Sequence, residues 1–209
     1  MNKHLRILIY VVSFGPFLLT GVGCSPASPP IFYHSLVDLD PAQQTTATDT
    51  ATDAATVGRL SILIGPVSTP DILKNSKITT GGAESRYQLS EQHRWAGEVN
   101  HDFARAVGEQ LAHRLGTEQI AIFPREQHLK TTHQIVLDIL TMEGNLGKEA
   151  ILIVRWSLID PQSKTVRLIR RSTFSEQPAD AGYDAWVSAQ RRNVNRLSEE
   201  IAAVIKAEH

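Results

Sequence analysis

The chain has a single cysteine among its 209 residues. One thiol excludes an internal disulfide and a zinc site built from several cysteine thiolates, so the fold has to be stabilised by packing. The chain also has no large excess of charge of either sign, since 21 Lys and Arg and 22 Asp and Glu give a net charge of −1. No general electrostatic field therefore attracts nucleic acid, and we expect no nucleic-acid partner.

Sequence motifs of catalysis are missing as well. The chain has no Gly-x-Ser-x-Gly, no glycine-rich phosphate loop before a helix and no His-Glu-x-x-His. His93, His101 and His113 fall at scattered angles on the first predicted long helix, which argues against a metal site. His101 and Asp102 are neighbours and so point to different sides of a helix, which argues against a catalytic pair. We therefore predict a protein that is not an enzyme, with no catalytic, metal-binding or cofactor-binding residues.

Two arginine pairs are the remaining candidates for an anion site. Arg170-Arg171 ends a predicted strand, and Arg191-Arg192 lies on the polar face of the last predicted helix. We interpret both as exposed surface.

Residues 1–23 have the three parts of a secretory signal peptide. Lys3 and Arg6 form a basic start, residues 7–19 are mostly apolar, and residues 20–23 are small. The apolar run is interrupted by Ser13, Gly15 and Pro16, and it falls short of the roughly 20 residues that a transmembrane helix needs.

The lone cysteine, Cys24, follows this segment directly. It resembles the last residue of a bacterial lipobox, although Gly21 stands where Leu is usual. This resemblance implies cleavage before Cys24, diacylation of its sulfur and acylation of its new amine. Two or three fatty chains make membrane attachment durable where one is marginal. Ser25 follows, with no Asp in the inner-membrane retention position, so by analogy the anchor lies in the outer membrane with the body in the periplasm. The alternative is an ordinary signal peptide with an incidental cysteine.

The mature chain is predicted to be a spacer over 24–30 followed by one domain over 31–209. The spacer is rich in Pro and Ser. Residues 31–36 predict a short aromatic strand. The run at 41–57 is dominated by Thr, Ala and Asp, so it has little apolar area to bury and is expected to be a flexible insertion.

Strands and helices then alternate in a way that predicts a layered fold. Residues 59–64 predict a strand that ends at Gly65-Pro66, with an ordered turn segment at 67–73. Residues 77–80 and 86–89 predict a hairpin around Gly81-Gly82.

The first long helix is predicted to begin at Ser90-Glu91 and to stop at Gly116. Its apolar stripe recurs every fourth residue and consists of Trp95, Val99, Phe103, Val107, Leu111 and Leu115, widened by Ala96 and Ala106.

The second half of the chain predicts four strands and a closing helix. The strands are 119–123, 134–140, 150–158 and 165–170, the last three forming an antiparallel meander. The helix covers 182–207, and Trp95, Trp156 and Trp186 are expected in the core. The predicted fold is an α/β two-layer domain, a mixed, mostly antiparallel sheet with two long helices packed on one face.

Five stretches together resemble the PqiC-like ABC-type transport auxiliary lipoprotein family. They are Cys24; Phe32-Tyr33-x-x-Leu36; Pro66-Val67-x-x-Pro70-x-Ile72-Leu73; Arg94-Trp95-Ala96; and Gly182-Tyr183-Asp184 with Ile201-Ala202 and Ile205-Lys206.

The resemblance implies an accessory outer-membrane lipoprotein of an MCE-type phospholipid transport system. It further implies a periplasm-spanning MCE-domain partner and assembly into a homo-oligomeric ring. A stand-alone periplasmic lipid- or ligand-binding lipoprotein is the alternative.

Overall fold

The computed structural model describes residues 28–37, 60–82 and 86–208. Cys24 and the predicted insertion at 41–57 lie outside these ranges. The elements, in chain order, are β1 (Phe32–His34), β2 (Ile62–Ser68), a short 3-10 helix (Asp71–Lys74), β3 (Lys77–Gly81), β4 (Tyr87–Trp95), α1 (Val99–Leu115), β5 (Ile120–Ile122), β6 (His133–Glu143), β7 (Ala150–Asp160), β8 (Thr165–Glu176) and α2 (Tyr183–Ala207).

The larger sheet has five strands in the order β5-β2-β6-β7-β8. Strand β2 is parallel to β5 and β6, whereas β6, β7 and β8 form the predicted antiparallel meander. Buried and less buried residues alternate along β7, because successive side chains of a strand point to opposite faces of the sheet. On β7 the residues of one face are fully buried, namely Ala150, Leu152, Val154, Trp156 and Leu158.

Both helices cover this buried face. Helix α1 packs on β2 and β5, helix α2 packs on β7 and β8, and the two helices contact each other. The predicted stripe on α1 is confirmed for Val99, Phe103, Val107 and Leu111, which are at most 4% exposed, whereas Leu115 is half-buried. Gly116 ends the helix in the left-handed conformation, with φ of 63°. The predicted two-layer α/β fold is confirmed.

A second, smaller sheet contains β1, β4 and β3 in that order. The predicted hairpin is confirmed as the antiparallel pair β3 and β4, in which Gly81 lies opposite Tyr87; residues 83–85 at its tip are outside the described ranges. Gly81 and Gly144 exchange backbone hydrogen bonds of 2.7 and 3.0 Å. These bonds join the small sheet to the end of β6, so the strands are divided between two linked sheets.

The predicted start of the first helix at Ser90 is wrong. Residues 87–95 form β4, and α1 begins at Val99. Ser90 does make the contacts of a capping residue, since its Oγ accepts hydrogen bonds from the backbone N–H groups of Gln92 and His93 at 3.3 and 2.9 Å. This single turn interrupts the pairing with β3 and leads into more strand instead of a helix. Hydrogen bonding to β1 on one side and β3 on the other outweighs the local helical preference.

Two residues change their structural role as a result. Trp95 is 3% exposed and belongs to the core as predicted, but it reaches the core from a strand. Ala96 is exposed in the turn before α1 and does not widen the helical stripe.

The predicted end of the second strand is also wrong. Strand β2 continues through Gly65-Pro66 to Ser68, and its register with β6 shifts between Ile64 and Val67. The irregular pairing accommodates the proline, which has no N–H to donate. The ordered turn segment predicted at 67–73 corresponds to the end of β2 and the 3-10 helix.

Trp156 and Trp186 provide a matched test of core energetics, because both are fully buried. Trp156 Nε1 donates to Ser172 Oγ at 3.1 Å, whereas Trp186 Nε1 has no hydrogen-bond partner among the described residues. Trp156→Phe and Trp186→Phe remove the same atoms, but only the first loses a hydrogen bond. We expect Trp156→Phe to lower the free energy of unfolding by about 1 kcal/mol more than Trp186→Phe, measured by urea denaturation. Equal losses would contradict this assignment.

Candidate functional site

Five side chains from β1, β4 and the start of α2 form what we call the aromatic–histidine cluster: Phe32, His34, His93, Tyr183 and Asp184. The His93 ring is stacked between two others, with its centroid 5.1 Å from that of Phe32 and 4.2 Å from that of Tyr183. His34 Nε2 lies 2.9 Å from His93 Nδ1, and His34 Nδ1 lies 3.3 Å from a carboxylate oxygen of Asp184. The cluster thus joins segments about 150 residues apart in sequence.

Strand geometry explains why these residues meet. Phe32 and His34 are two residues apart on β1 and therefore project from the same face. The parallel register places Phe32 beside His93 on β4. The turn that Ser90 stabilises immediately precedes His93. Tyr183 and Asp184 are the first two residues of α2, whose first turn lies against this face.

We assign the proton of the neutral His34 ring to Nδ1. The Asp184 carboxylate, which can only accept a proton, lies 3.3 Å from this nitrogen as its ion-pair contact. With Nδ1 protonated, Nε2 is the nitrogen that accepts from His93 Nδ1 at 2.9 Å.

Burial lowers the pKa of His34 below its ordinary value of 6.5. The residue is only 8% exposed, and a charged imidazole loses most of its hydration there. Asp184 acts in the opposite direction, but its side chain is 94% exposed and its charge is screened by water. The nearby charges of His93 and Arg191 lower the pKa further. The fold therefore favours neutral His34.

The residues that follow β1 are fixed to both helices. Ser35 Oγ donates to the Asp102 carboxylate on α1 at 2.8 Å, and the Leu36 N–H donates to it at 2.5 Å. On the other side, Arg191 Nε of α2 donates to the Ser35 carbonyl at 3.0 Å. Leu36 is 2% exposed and enters the core. These contacts hold β1, and with it Phe32 and His34, in place.

A shallow groove opens beside the cluster. It is lined by the chain from Ser28 to Ile31, by residues 88–93 of β4 and by Tyr183. Glu91 is on its rim, where its carboxylate pairs with Lys77 Nζ at 2.6 Å. A second groove lies between the 3-10 helix and the start of α1, lined by Leu73, Trp95 and Ala96 among others.

The polar contacts of His34 in this cluster link separate segments of the chain. Both ring nitrogens of His34 are engaged, and the neighbouring hydroxyl of Ser35 donates to Asp102 and not to a histidine. Across residues 28–37, 60–82 and 86–208, no three His, Cys, Asp or Glu side chains are grouped so that they could hold a metal ion. In the same ranges no helix is long and apolar enough to cross a bilayer.

The predicted site residue, Cys24, lies outside the described residues and remains a prediction. His93 was expected on the first helix together with His101 and His113; it lies on β4, and only the other two are on α1. The predicted exposure of the arginine pairs holds for Arg170, Arg171 and Arg192, whereas Arg191 is half-buried.

Sequence reasoning missed the pairing of His34 with His93 and Asp184. Phe32-Tyr33 and Tyr183-Asp184 each belong to a family-like stretch, but nothing in the sequence indicates that they touch. The structure brings three of the five stretches together here, because Arg94 and Trp95 directly follow His93. Leu73, from a fourth stretch, lines the second groove with Trp95.

Comparisons with known proteins agree with this architecture. The family model described as ABC-type transport auxiliary lipoprotein component matches residues 38–202. Among solved structures, one uncharacterised protein is similar with a TM-score of 0.64 and 14% identity, covering 85% of this chain and 99% of its own. A Xanthomonas campestris protein of the DUF330 family has a TM-score of 0.58 and 14% identity, covering 68% of this chain and 81% of its own. These two likenesses show the fold alone. No curated protein matches the sequence.

The depressed pKa of His34 predicts a pH-dependent stability. Since the unfolded chain binds a proton near pH 6.5 and the folded chain binds it only at lower pH, stability is lost as the pH falls below that value. We expect the melting temperature to fall between about pH 7.5 and about pH 5.5, and His34→Gln to reduce that fall. His101→Gln, an exposed change on α1, is the control. An identical pH dependence in wild type and His34→Gln would refute the assignment.

Proposed function

We propose that the protein is a non-enzymatic accessory component of an MCE/ABC-type phospholipid transport system, because the chain belongs to the ABC-type transport auxiliary lipoprotein family. In this proposal the protein is held by lipid on the periplasmic face of the outer membrane. It contacts an MCE-domain protein that spans the periplasm and so contributes to membrane integrity. The observation that carries the proposal is the family match over residues 38–202.

The proposed maturation starts from the N-terminal sequence. Residues 1–23 would be removed as a signal peptide, Cys24 would carry the acyl chains, and 24–30 would separate them from a single domain over 31–209. Ile31, the first residue of this domain, is seven positions after Cys24 in the sequence. In this proposal the domain therefore begins close to its anchor, as expected of a tethered adaptor.

The absence of enzymatic activity is supported by the state of the polar groups in the aromatic–histidine cluster. Both ring nitrogens of His34 have a partner within the cluster, and the Ser35 hydroxyl donates to Asp102. We infer that the cluster shapes a surface and does not perform a reaction.

The alternative function, a lipid-binding module that works alone, would need an apolar interior open to a ligand. The space between the helices and the five-stranded sheet is filled by fully buried side chains, among them Phe103, Leu111, Trp156, Trp186 and Leu197. The grooves described above lie outside this layer. The observed packing thus favours an adaptor over a lipid carrier.

Assembly into a ring of identical subunits is part of the proposal. A closed ring needs two different surfaces that meet head to tail on successive subunits. The division of the strands into two sheets leaves β5 as an edge of the larger sheet and β3 as an edge of the smaller one. Two distinct edges meet the requirement for unlike surfaces.

The partner is tested by recovering the protein with its neighbours from the native envelope. Full-length tagged protein is cross-linked in cells, purified from membranes and analysed by mass spectrometry. We expect enrichment of an MCE-domain protein and of ABC transporter subunits over a control lipoprotein carrying the same tag. Recovery of neither component would count against the proposed function.

The anchor is tested by Cys24→Ser, which removes the only thiol in the chain. We expect the variant to be released into the soluble periplasm or to remain uncleaved in the inner membrane, because a hydroxyl cannot take the place of the acylated sulfur. Membrane fractionation and the mass of the mature N-terminus are the measurements. A variant that still fractionates with the outer membrane would show that lipid is not the tether.

A further inference from the structure

The residues that follow the proposed spacer form an unusually apolar stretch of surface. Ile31, Phe32 and Tyr33 are consecutive and are 43%, 48% and 64% exposed. Large hydrophobic side chains with this exposure are few among the described residues, and no other three of them are adjacent in sequence. We call these three residues the apolar edge.

The position of the apolar edge in the fold leaves it accessible. Among the described residues, strand β1 is the outer strand of the three-stranded sheet and pairs only with β4. Side chains of both faces therefore project at a free border, with Phe32 toward His93 and Tyr33 to the opposite side. The stacking of Phe32 on His93 and the contacts of Ser35 and Leu36 with Asp102 keep this border rigid.

The chain length between Cys24 and Ile31 limits how far the apolar edge can be from the bilayer. Seven residues separate them in the sequence. A fully extended chain spans at most about 3.3–3.6 Å per residue, so Ile31 stays within roughly 25 Å of the anchored sulfur whatever the conformation between them. Tethering thus keeps the apolar edge at high local concentration beside the membrane.

The chemistry of the apolar edge suits the boundary between headgroups and acyl chains. Tyrosine is enriched at this boundary because its ring is apolar and its hydroxyl can stay in water. Ile31 and Phe32 add apolar area that gains from leaving water. Glu91, which lines the adjacent groove, is paired with Lys77 at 2.6 Å, and Asp184 is paired with His34 at 3.3 Å.

We propose that the apolar edge rests on the bilayer to which Cys24 tethers the chain and thereby fixes the orientation of the domain. The three-stranded sheet then faces the membrane, and β8 belongs to the other sheet. This inference rests on the lipid anchor of the proposed function. It adds a second, non-covalent membrane contact that orients the domain relative to the bilayer.

The test uses the full-length protein in vesicles of phosphatidylethanolamine and phosphatidylglycerol containing a spin-labelled phospholipid. Tyr33→Cys provides a thiol for an environment-sensitive fluorophore on the apolar edge. Ile169→Cys is the matched control, because Ile169 on β8 is 62% exposed against 64% for Tyr33. Intact mass confirms that Cys24 carries acyl chains and that the dye is on the introduced cysteine.

We expect several-fold stronger quenching by the spin-labelled lipid at position 33 than at position 169. Hydrogen exchange of the unlabelled wild-type protein gives an independent measurement, with vesicle-dependent protection expected around residues 31–33 and not around 166–170. Equal or absent quenching at position 33 on acylated protein would overturn this proposal alone. Shielding of position 33 by another protein without lipid quenching would overturn it too. A mass spectrum without acyl chains on Cys24 would overturn the anchor and this inference together.

Discussion

The arrangement of the candidate site depends on the hydrogen bonds that the Asp102 carboxylate accepts from the end of β1. The carboxylate accepts hydrogen bonds from the Ser35 hydroxyl and the Leu36 N–H, and hydrogen bonds to charged groups are each worth about 1.5–3 kcal/mol. Strand β1 is three residues long and pairs with a single neighbour, so strand pairing alone would hold it weakly. Asp102 and Arg191 fasten its end to both helices. The rigid helical layer thereby sets the position of the aromatic–histidine cluster.

This arrangement separates the two tasks of the proposed adaptor. The helices and the five-stranded sheet form a tightly packed body whose interior is filled, and that body provides the stability. The three-stranded sheet is joined to it by the Gly81–Gly144 hydrogen bonds and by the contacts around β1. It carries the apolar edge and the groove, close to the proposed anchor. An accessory lipoprotein needs such a division, because its contacts must be exposed while its core stays closed.

Residues 90–95 illustrate where reasoning from the sequence failed. Ser90 has the capping contacts that the sequence suggested, and Trp95 is buried as expected. Both facts are compatible with a helix or with a strand that contains one turn. The choice was made by β1 and β3, which pair with β4 from distant parts of the chain. His93 was accordingly assigned to the wrong element, and its stacking between Phe32 and Tyr183 could not be foreseen.

The sequence by itself determined the elements whose periodicity is long and regular: the meander of β6, β7 and β8, helix α2 and the stripe from Val99 to Leu111. In most of these elements the burial of the apolar residues follows from their spacing, so local pattern and final fold agree; Val166 and Ile169 on β8 are exceptions, since both are exposed. Tertiary structure alone decided the division into two sheets and the meeting of His34 with His93 and Asp184. Those contacts join short segments that lack a strong local preference, and such segments take the conformation that their distant partners impose.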